Sequence, residues 1–335
     1  MGVNLSTKYL GLNLKNPLVI AACPLTGKID WLKRLEAAGA AAAVLPSLFE
    51  EQIEHDEMEM TKAREFGTES FAEALSYFPE PQDYRSEPDD YLEGIGQAKK
   101  AVKIPIIASL NGTNKGGWVR YAKMMQDAGA DALELNVYYI ATDQDMTGKE
   151  VESRYLELVA AVKQSVSIPL AVKVGPYFSS MANMAKRLSD AGADALVLFN
   201  RFLQPDIDLD TLETTPKLIL SDPYELLAPL RWVAILHGRI NASLAITSGI
   251  HDGDAMIKAL LAGADVGMIA SAIYHKGFKQ VEEILSGLSK WMEAKEYDSV
   301  EQLKGSMSQE NCPDPEAFAR GNYMKTLISY SGKPI

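Results

Sequence analysis

The chain has 335 residues, of which 47% are hydrophobic, and a formal net charge of −12. This charge argues against nucleic acid and anionic membrane surfaces as partners, since clustered Lys and Arg bind both. The two cysteines, Cys23 and Cys312, are too few for an iron–sulfur cluster held by this chain and favour a reducing compartment. With no leader-like segment and no apolar run of membrane length, we expect a cytoplasmic protein.

Short apolar runs alternate with amphipathic segments along the chain, as is typical of parallel strands buried on both faces. The predicted strands are Pro17–Ala22, Ala41–Ser47, Ile104–Leu110, Ala132–Val137, Pro169–Val174, Ala195–Asn200, Ser243–Ser248 and Val266–Ser271. The predicted helices are Ile29–Ala38, Asp90–Val102, Gly116–Ala128, Lys149–Ser165, Ser179–Ala191, Pro223–His237, Asp252–Ala262 and Gly277–Ala294. Ala-Gly-Ala recurs at the joins, where glycine permits the left-handed turn that leads from a helix into a strand.

Eight strand–helix units predict an α/β fold in which residues 1–335 form a single (β/α)8 TIM barrel domain. A doubly wound open sheet is the alternative, but it needs a reversal of strand order that we cannot locate. Longer stretches at 49–89, after the second strand, and 201–222 are expected to act as lids over the barrel mouth. The C-terminal extension, 295–335, is expected to pack outside the barrel or at a subunit contact.

Polar residues occur where three of the predicted strands end. Asn136, Lys173 and Asn200 lie at or near the ends of strands four, five and six, and the active site of this fold lies at the C-terminal ends of the strands. An unpaired buried ammonium is costly, so we expect Lys173 to meet either a polar or anionic ligand or a structural carboxylate. The two asparagines either bind the same ligand or cap their loops.

Small residues end the last two strands, at Thr247-Ser248-Gly249 and Ala270-Ser271. Such residues expose backbone N–H groups at the place where barrels commonly hold a phosphate, although they also occur in ordinary turns. Together with the lysine and the asparagines, they predict a phosphate-bearing ligand across the barrel mouth.

The remaining reactive side chains give weaker signals. The four histidines lack metal-ligand spacing, so we predict no metal site, and we expect His251 to be a solvated loop residue. Cys23 is expected to be a small packing residue. Tyr138 and Tyr139 either stack on a ligand or pack their loop.

Several of these segments, in this order, resemble the FMN-dependent dihydroorotate dehydrogenases. The matching segments are Gly11–Pro17, Ala21-Ala22, Ile106–Ser109, Gly129–Asn136, Leu170–Lys173, Gly192–Asn200, Ser248–Ile250 and Ala262–Ala264. The resemblance implies a barrel that holds FMN and oxidises a small molecule, dihydroorotate, to orotate in pyrimidine biosynthesis. It also implies a homodimer without a membrane-associated helix.

The resemblance also implies roles for single residues. Lys173 would stabilise the negative charge of reduced flavin, and Asn136 and Asn200 would hydrogen-bond the flavin or the substrate. The backbone at Ala21 and Ala22 would lie along the flavin ring. Further residues implied to bind the cofactor, the last three of them at its phosphate, are Ser47, Ser109, Ser248, Gly249, Ala270 and Ser271.

The chain departs from the family pattern after strand four. The family motif Asn-Leu-Ser-Cys-Pro-Asn carries a cysteine, or a serine in another class, that acts as the base; here Asn136–Ala141 places Tyr139 at that position. The family lysine after strand two is replaced by Pro46, and a glycine-rich stretch by Ser221–Pro223. With an unperturbed pKa near 10, a tyrosine is better suited to donate a proton than to act as a base at neutral pH.

Four functions therefore compete. The first is dihydroorotate oxidation with an altered base, and the second is FMN-dependent oxidoreduction of another small planar substrate with Tyr139 as proton donor. A flavin-binding protein without turnover is the third. The fourth is a flavin-free lyase that uses Lys173 to form a Schiff base. The electron acceptor is left open among fumarate, a nicotinamide, a quinone and a partner protein.

Overall fold

The computed structural model describes residues 2–49, 88–112, 115–201, 204–216, 218–315 and 328–329. An antiparallel hairpin of β1 (Thr7–Tyr9) and β2 (Leu12–Leu14) precedes the barrel. A second hairpin, β9 (Pro205–Ile207) and β10 (Thr214–Pro216), follows the sixth barrel strand. The barrel strands are β3 (Leu18–Ile20), β4 (Ala42–Phe49), β5 (Ile106–Gly112), β6 (Ala132–Val137), β7 (Leu170–Val174), β8 (Ala195–Leu198), β11 (Ser243–Thr247) and β12 (Val266–Ile269).

These eight strands form a closed, all-parallel barrel in the order β11-β12-β3-β4-β5-β6-β7-β8. Helices follow the strands: α1 (Ile29–Ala37), α2 (Pro88–Ala101), α3 (Lys115–Asp127), α4 (Gly148–Ser165), α5 (Met181–Asp190), α6 (Leu227–Leu236), α7 (Gly253–Ala262), α8 (Ser271–Lys276), α9 (Lys279–Ala294) and α10 (Val300–Leu303). The (β/α)8 TIM barrel is thereby confirmed and the open doubly wound sheet is wrong, because a closed barrel has no sheet edge and no reversal of strand order.

The predicted bounds differ most at two helices. The helix predicted from Pro223 begins as a 3-10 turn, Pro223–Leu226, before α6. The helix predicted at Gly277–Ala294 is preceded by α8, which starts at Ser271, directly after the last strand. Gly277, with φ +77°, separates α8 from α9. Most of the predicted lid at 49–89 lies outside the described residues.

The Ala-Gly-Ala joins form the turns that their sequence predicts. Gly39, Gly129, Gly192 and Gly263 all have φ between +102° and +116°, a region open to glycine without a steric penalty. At three joins the next residue is an aspartate whose carboxylate accepts a backbone N–H of the neighbouring strand. The pairs are Asp131 with Ile106, Asp194 with Leu170 and Asp265 with Leu244, at 2.7, 2.8 and 2.7 Å. The aspartates thus fasten adjacent strands at the N-terminal end of the barrel.

The first hairpin closes this same end. Thr7 Oγ1 donates to the carbonyl of Asp265 at 3.0 Å, and the Tyr9 ring is fully buried among inward-facing barrel residues. Several of these are alanines: Ala42, Ala132, Ala171, Ala195 and Ala245. Their small side chains leave room that the tyrosine fills. The N-terminal end of the barrel interior is therefore closely packed, and the polar side chains lie at the C-terminal end.

The segment after α9 runs along the outside of the barrel helices. Gly305 and Met307 donate backbone N–H groups to Leu260 and Leu261, and Gln309 donates to Ala234. The first half of the C-terminal extension, residues 295–315, therefore packs against α6 and α7.

Candidate functional site

Asn136 and Lys173 lie side by side at the C-terminal end of the barrel. They are paired in register across β6 and β7, and Lys173 is in turn paired with Val197 of β8. Leu133 and Leu135 pack into the core between strands and helices, so the alternating residues Glu134 and Asn136 face the barrel interior.

Asn200 follows β8 and reaches across to the same place. Its Nδ2 donates to Oδ1 of Asn136 at 2.6 Å, and its backbone N–H bonds to the carbonyl of Val174. The bond fixes which way both amides point: Asn136 keeps its NH2 group as a donor, and Asn200 keeps its carbonyl oxygen as an acceptor. Two predicted ligand residues thus form one donor–acceptor edge at the mouth.

Lys173 has a buried carboxylate beneath it. Its Nζ lies 3.9 Å from Oε1 of Glu134, and the two side chains are 12% and 1% exposed. The sequence analysis offered a ligand and a structural carboxylate as alternatives for this lysine, and the structure supplies the carboxylate without covering the ammonium completely. Burial raises the pKa of Glu134, and the Lys173 charge partly offsets that rise.

Glu134 was missed by the sequence analysis, although a signal was present. An acidic residue two positions before Asn136 in the apolar run Ala132–Val137 must share the inward face with it. Among the described residues, neither carboxylate oxygen has a hydrogen-bond partner. A buried carboxylate in this state is expensive, which marks Glu134 as more than a packing residue.

Ser47 and Ser109 meet in the same interior. Their hydroxyl oxygens lie 2.8 Å apart, and Ser109 is paired in register with Glu134. Tyr91 of α2, a second residue that the sequence analysis missed, holds this strand in place: its oxygen accepts from the Ser109 N–H at 2.9 Å, and its O–H donates to the Ser109 carbonyl at 3.2 Å. The serines therefore continue the polar face from β6 to β4.

The loop after β11 makes a tight turn. Ser248 and Gly249 both have φ +77°, and a Cβ on Gly249 would lie 2.2 Å from the backbone nitrogen of Leu226. Glycine is thus required by the close approach of the 3-10 turn that precedes α6. This contact sets the path of the loop on which the predicted phosphate residues lie.

Ser271 joins this loop region to the segment after β8. Its Oγ accepts from the Ser221 N–H at 3.0 Å, which leaves the Ser271 hydroxyl proton able to serve another acceptor. The Ser221 hydroxyl lies 3.5 Å from Nε2 of His251. The predicted lid segment 201–222 therefore ends in contact with the ends of two barrel strands.

The expectation that His251 is solvated is wrong. The residue is 7% exposed, and its carbonyl accepts from Nε2 of Gln280 at 2.6 Å. Burial, followed by the nearby His275, lowers the pKa of the His251 ring. The loop turns inward because Ser248 and Gly249 adopt left-handed conformations, which the sequence alone did not indicate at Ser248.

Tyr139 lies beside α4. Its hydroxyl donates to Sδ of Met146 at 3.2 Å and accepts from Nη1 of Arg154 at 3.1 Å, with the guanidinium 5.3 Å from the ring centroid. Burial, and then Tyr139 itself, raises the pKa of the adjacent Tyr155 to about 12. Tyr139 is thus held by a cation and a weak thioether acceptor, and its catalytic role stays a prediction.

Ala21, Ala22 and Cys23 follow β3 at the same end of the barrel. The Ala21 N–H bonds to the carbonyl of Ile269 at 2.9 Å, so this backbone runs directly beside the end of β12. Cys23 is buried, and burial raises the pKa of its thiol. Its predicted packing role is confirmed by this burial, since an uncharged thiol is a poor nucleophile.

Among the residues that the structure describes, no group of three or more His, Cys, Asp or Glu side chains could hold a metal ion. Within the same ranges, no helix is long and apolar enough to cross a membrane.

A family model described as dihydroorotate dehydrogenase matches residues 82–292. Three similar proteins carry the name dihydroorotate dehydrogenase B (NAD(+)), catalytic subunit. The protein of Methanothermobacter thermautotrophicus is 26% identical over 309 residues, which cover 90% of this chain and 97% of that protein. The protein of Thermoplasma acidophilum is 26% identical over 90% of this chain and 98% of its own length. The protein of Methanocaldococcus jannaschii is 27% identical over 85% of this chain and 93% of its own length.

Proposed function

We propose a specific redox function for this chain, which belongs to the dihydroorotate dehydrogenase family. The chain oxidises dihydroorotate to orotate, a step of pyrimidine biosynthesis, and uses FMN as its cofactor. The observation that carries this proposal is the cluster of Lys173, Asn136 and Asn200 at the barrel mouth, where the lysine ammonium lies beside a paired amide edge.

The donor set fits a flavin. A flavin ring offers carbonyl and ring-nitrogen atoms along one edge, which match the free NH2 of Asn136 and the free carbonyl of Asn200. When bound, FMN supplies a ring that accepts two electrons and becomes more negative. Lys173 would hold a positive charge near that ring before the reaction begins, which is how preorganised groups lower a barrier.

The phosphate of FMN would bind where the loops after β11 and β12 meet. The hydroxyl of Ser271 has a proton left to donate, and the backbone N–H groups of Ser248, Gly249 and Ala270 would add further donors. The loop after β11 supports this location, because its residue His251 and Ser271 of α8 both contact Ser221.

A second candidate is the reduction of another small planar substrate. Its support is Tyr139, whose proton is held by only a thioether sulfur while Arg154 donates to its oxygen. A hydroxyl proton bonded to so weak an acceptor can be passed to a bound substrate, which suits a proton donor. In that case Tyr139→Phe should slow reoxidation of the reduced protein by the planar substrate and leave reduction of the flavin unchanged.

We propose a cytoplasmic homodimer, with the β9–β10 hairpin at its interface. The hairpin and the chain that follows it expose large apolar side chains, including Leu209 at 82% and Leu212 at 79%. Such a cluster is typical of a surface that another protein covers. Sedimentation should give the mass of two chains, and Leu209→Asp should give one. Met307→Asp, at an exposed methionine on the C-terminal segment, is the control; a monomeric unmodified protein would contradict the proposal.

The cofactor assignment is tested by titrating the purified protein with FMN. We expect a yellow protein that retains FMN through gel filtration. Ser271→Glu should lose the cofactor because it places a negative charge beside the phosphate, whereas Ser271→Ala should retain it with weaker affinity. A Ser271→Glu protein with full FMN content would move the phosphate elsewhere, and a colourless parent protein after incubation would remove FMN from the account.

A further inference from the structure

The barrel interior contains one charged group that the proposed chemistry does not use. Glu134 is 1% exposed and lies one inward-facing position below Asn136 on β6. Among the described residues, its nearest charged neighbour is Lys173 at 3.9 Å, and no hydroxyl or amide satisfies either carboxylate oxygen. Two residues along the strand separate its Cα from that of Asn136 by about 7 Å, and the long side chains of Glu134 and Lys173 close this gap.

A structural role alone does not account for this group. A buried ion pair with no supporting hydrogen bonds contributes little to stability, and an apolar residue of the same size is often as good or better. Its in-register neighbours on β5 and β7, Ser109 and Ala171, carry no charge, and Ser109 is not a hydrogen-bond partner of the carboxylate. The charge of Glu134 therefore acts on Lys173 and on a ligand bound beside it at the C-terminal end of the barrel.

We propose that Glu134 is a positioning residue for Lys173 that also offsets part of its charge, and that it thereby sets the reduction potential of the bound flavin. The inference rests on the proposed function, because it needs a flavin above Lys173. The Glu134 carboxylate attracts the Lys173 ammonium toward the barrel axis. It thereby fixes the position of the positive charge relative to the bound flavin. Its own negative charge disfavours the extra electron density of the reduced ring and keeps the potential lower than Lys173 alone would set it.

The proposal predicts a change that depends on charge and not on shape. Glu134→Gln keeps the side-chain outline and removes the charge, and Glu134→Met removes the charge with an apolar side chain suited to the barrel interior. Both should raise the ratio of reduced to oxidised flavin, in equilibrium with a reference dye at fixed potential, by about tenfold. Glu134→Asp, which keeps the charge, should stay within about twofold of the parent protein.

The control is Glu293→Gln, the same change of charge on an exposed residue of α9, which should leave the ratio unaltered. An unchanged or lower ratio in both charge-removing variants overturns the inference. An equal change of the ratio in Glu134→Asp and Glu134→Met also overturns it, because the effect would then come from the altered shape of the side chain and not from its charge. Failure of the parent protein to bind FMN is a separate result, which removes the proposed function and this inference with it.

Discussion

Lys173 and Glu134 place opposite charges in a barrel interior that is otherwise lined largely by alanine and valine. The cost of burying each charge is reduced by the other, and the ammonium keeps part of its surface toward the mouth. The lysine could be recognised from the sequence because it interrupts an apolar run at a strand end. Its partner could not be assigned, because pairing across β6 and β7 depends on the register of two strands that are distant in sequence.

Replacing Lys173 by Ala tests the role of this charge. We expect the rate of flavin reduction by dihydroorotate to fall by about 10²-fold, as is typical when one preorganised stabilising group is lost. The thermal midpoint should change little, because Glu134, whose pKa burial already raises, takes up a proton when its cation is removed. Stopped-flow reduction and thermal unfolding measure the two effects.

Lys163→Ala is the matched control for this variant. Lys163 pairs with Asp194 at 2.5 Å at the opposite end of the barrel, so its loss should lower stability without slowing reduction. A Lys173→Ala protein that is reduced at the parent rate would contradict the charge-stabilising role.

Tyr139 and His251 show why single side chains at the mouth are hard to predict. Tyr139 could be assigned to the loop after β6, but its contact with Arg154 depends on how that loop folds onto α4. His251 was expected in solvent as a loop residue after the seventh barrel strand, yet the left-handed turn at Ser248 and Gly249 carries it inward. In both cases the backbone path of a loop decides the outcome, and local composition does not specify that path.

At the scale of elements, the Ala-Gly-Ala-Asp joins explain why the strands could be located so well. Each glycine ends a helix. Asp131, Asp194 and Asp265 each accept a backbone N–H near the start of a neighbouring strand and so stabilise the N-terminal end of the barrel. The short helix α8, Ser271–Lys276, was missed because only Ala270 separates it from β12. Its six residues are too few to show a helical period.

Gly249→Ala tests the contact between the β11 loop and the turn before α6. The new Cβ would meet Leu226 backbone at 2.2 Å in a conformation that already disfavours alanine. We expect FMN affinity to fall at least about tenfold, because the loop must shift away from the phosphate. Gly277→Ala is the control, since Gly277 has the same φ of +77° but open space at its Cβ.

Both variants should lose at least about 1 kcal/mol of unfolding free energy, because alanine disfavours a φ of +77°. Only Gly249→Ala should lose the cofactor. Isothermal titration with FMN and chemical denaturation separate the two effects. Equal FMN affinity in the two variants would show that the contact with Leu226 does not position the loop after β11 for phosphate binding.

At the scale of the whole molecule, the eight apolar runs were sufficient to predict the closed barrel, because strands buried on both faces need helices around them. The hairpin of β1 and β2 could not be predicted to close the N-terminal end. Tyr9 fills that end only because Ala42, Ala132, Ala171 and other small residues meet there, which requires the closed barrel. The β9–β10 hairpin was likewise contained within a predicted lid, but its strands are too short for a reliable alternating pattern.

The most direct test of the account is the anaerobic addition of dihydroorotate to the purified, FMN-loaded protein. We expect the visible flavin absorbance to bleach while one orotate forms for each flavin reduced. This result would require a proton acceptor at a mouth where Tyr139 occupies the position of the family cysteine. A protein that stays fully yellow with dihydroorotate, yet is bleached by dithionite, would contradict dihydroorotate oxidation and leave the flavin site in place.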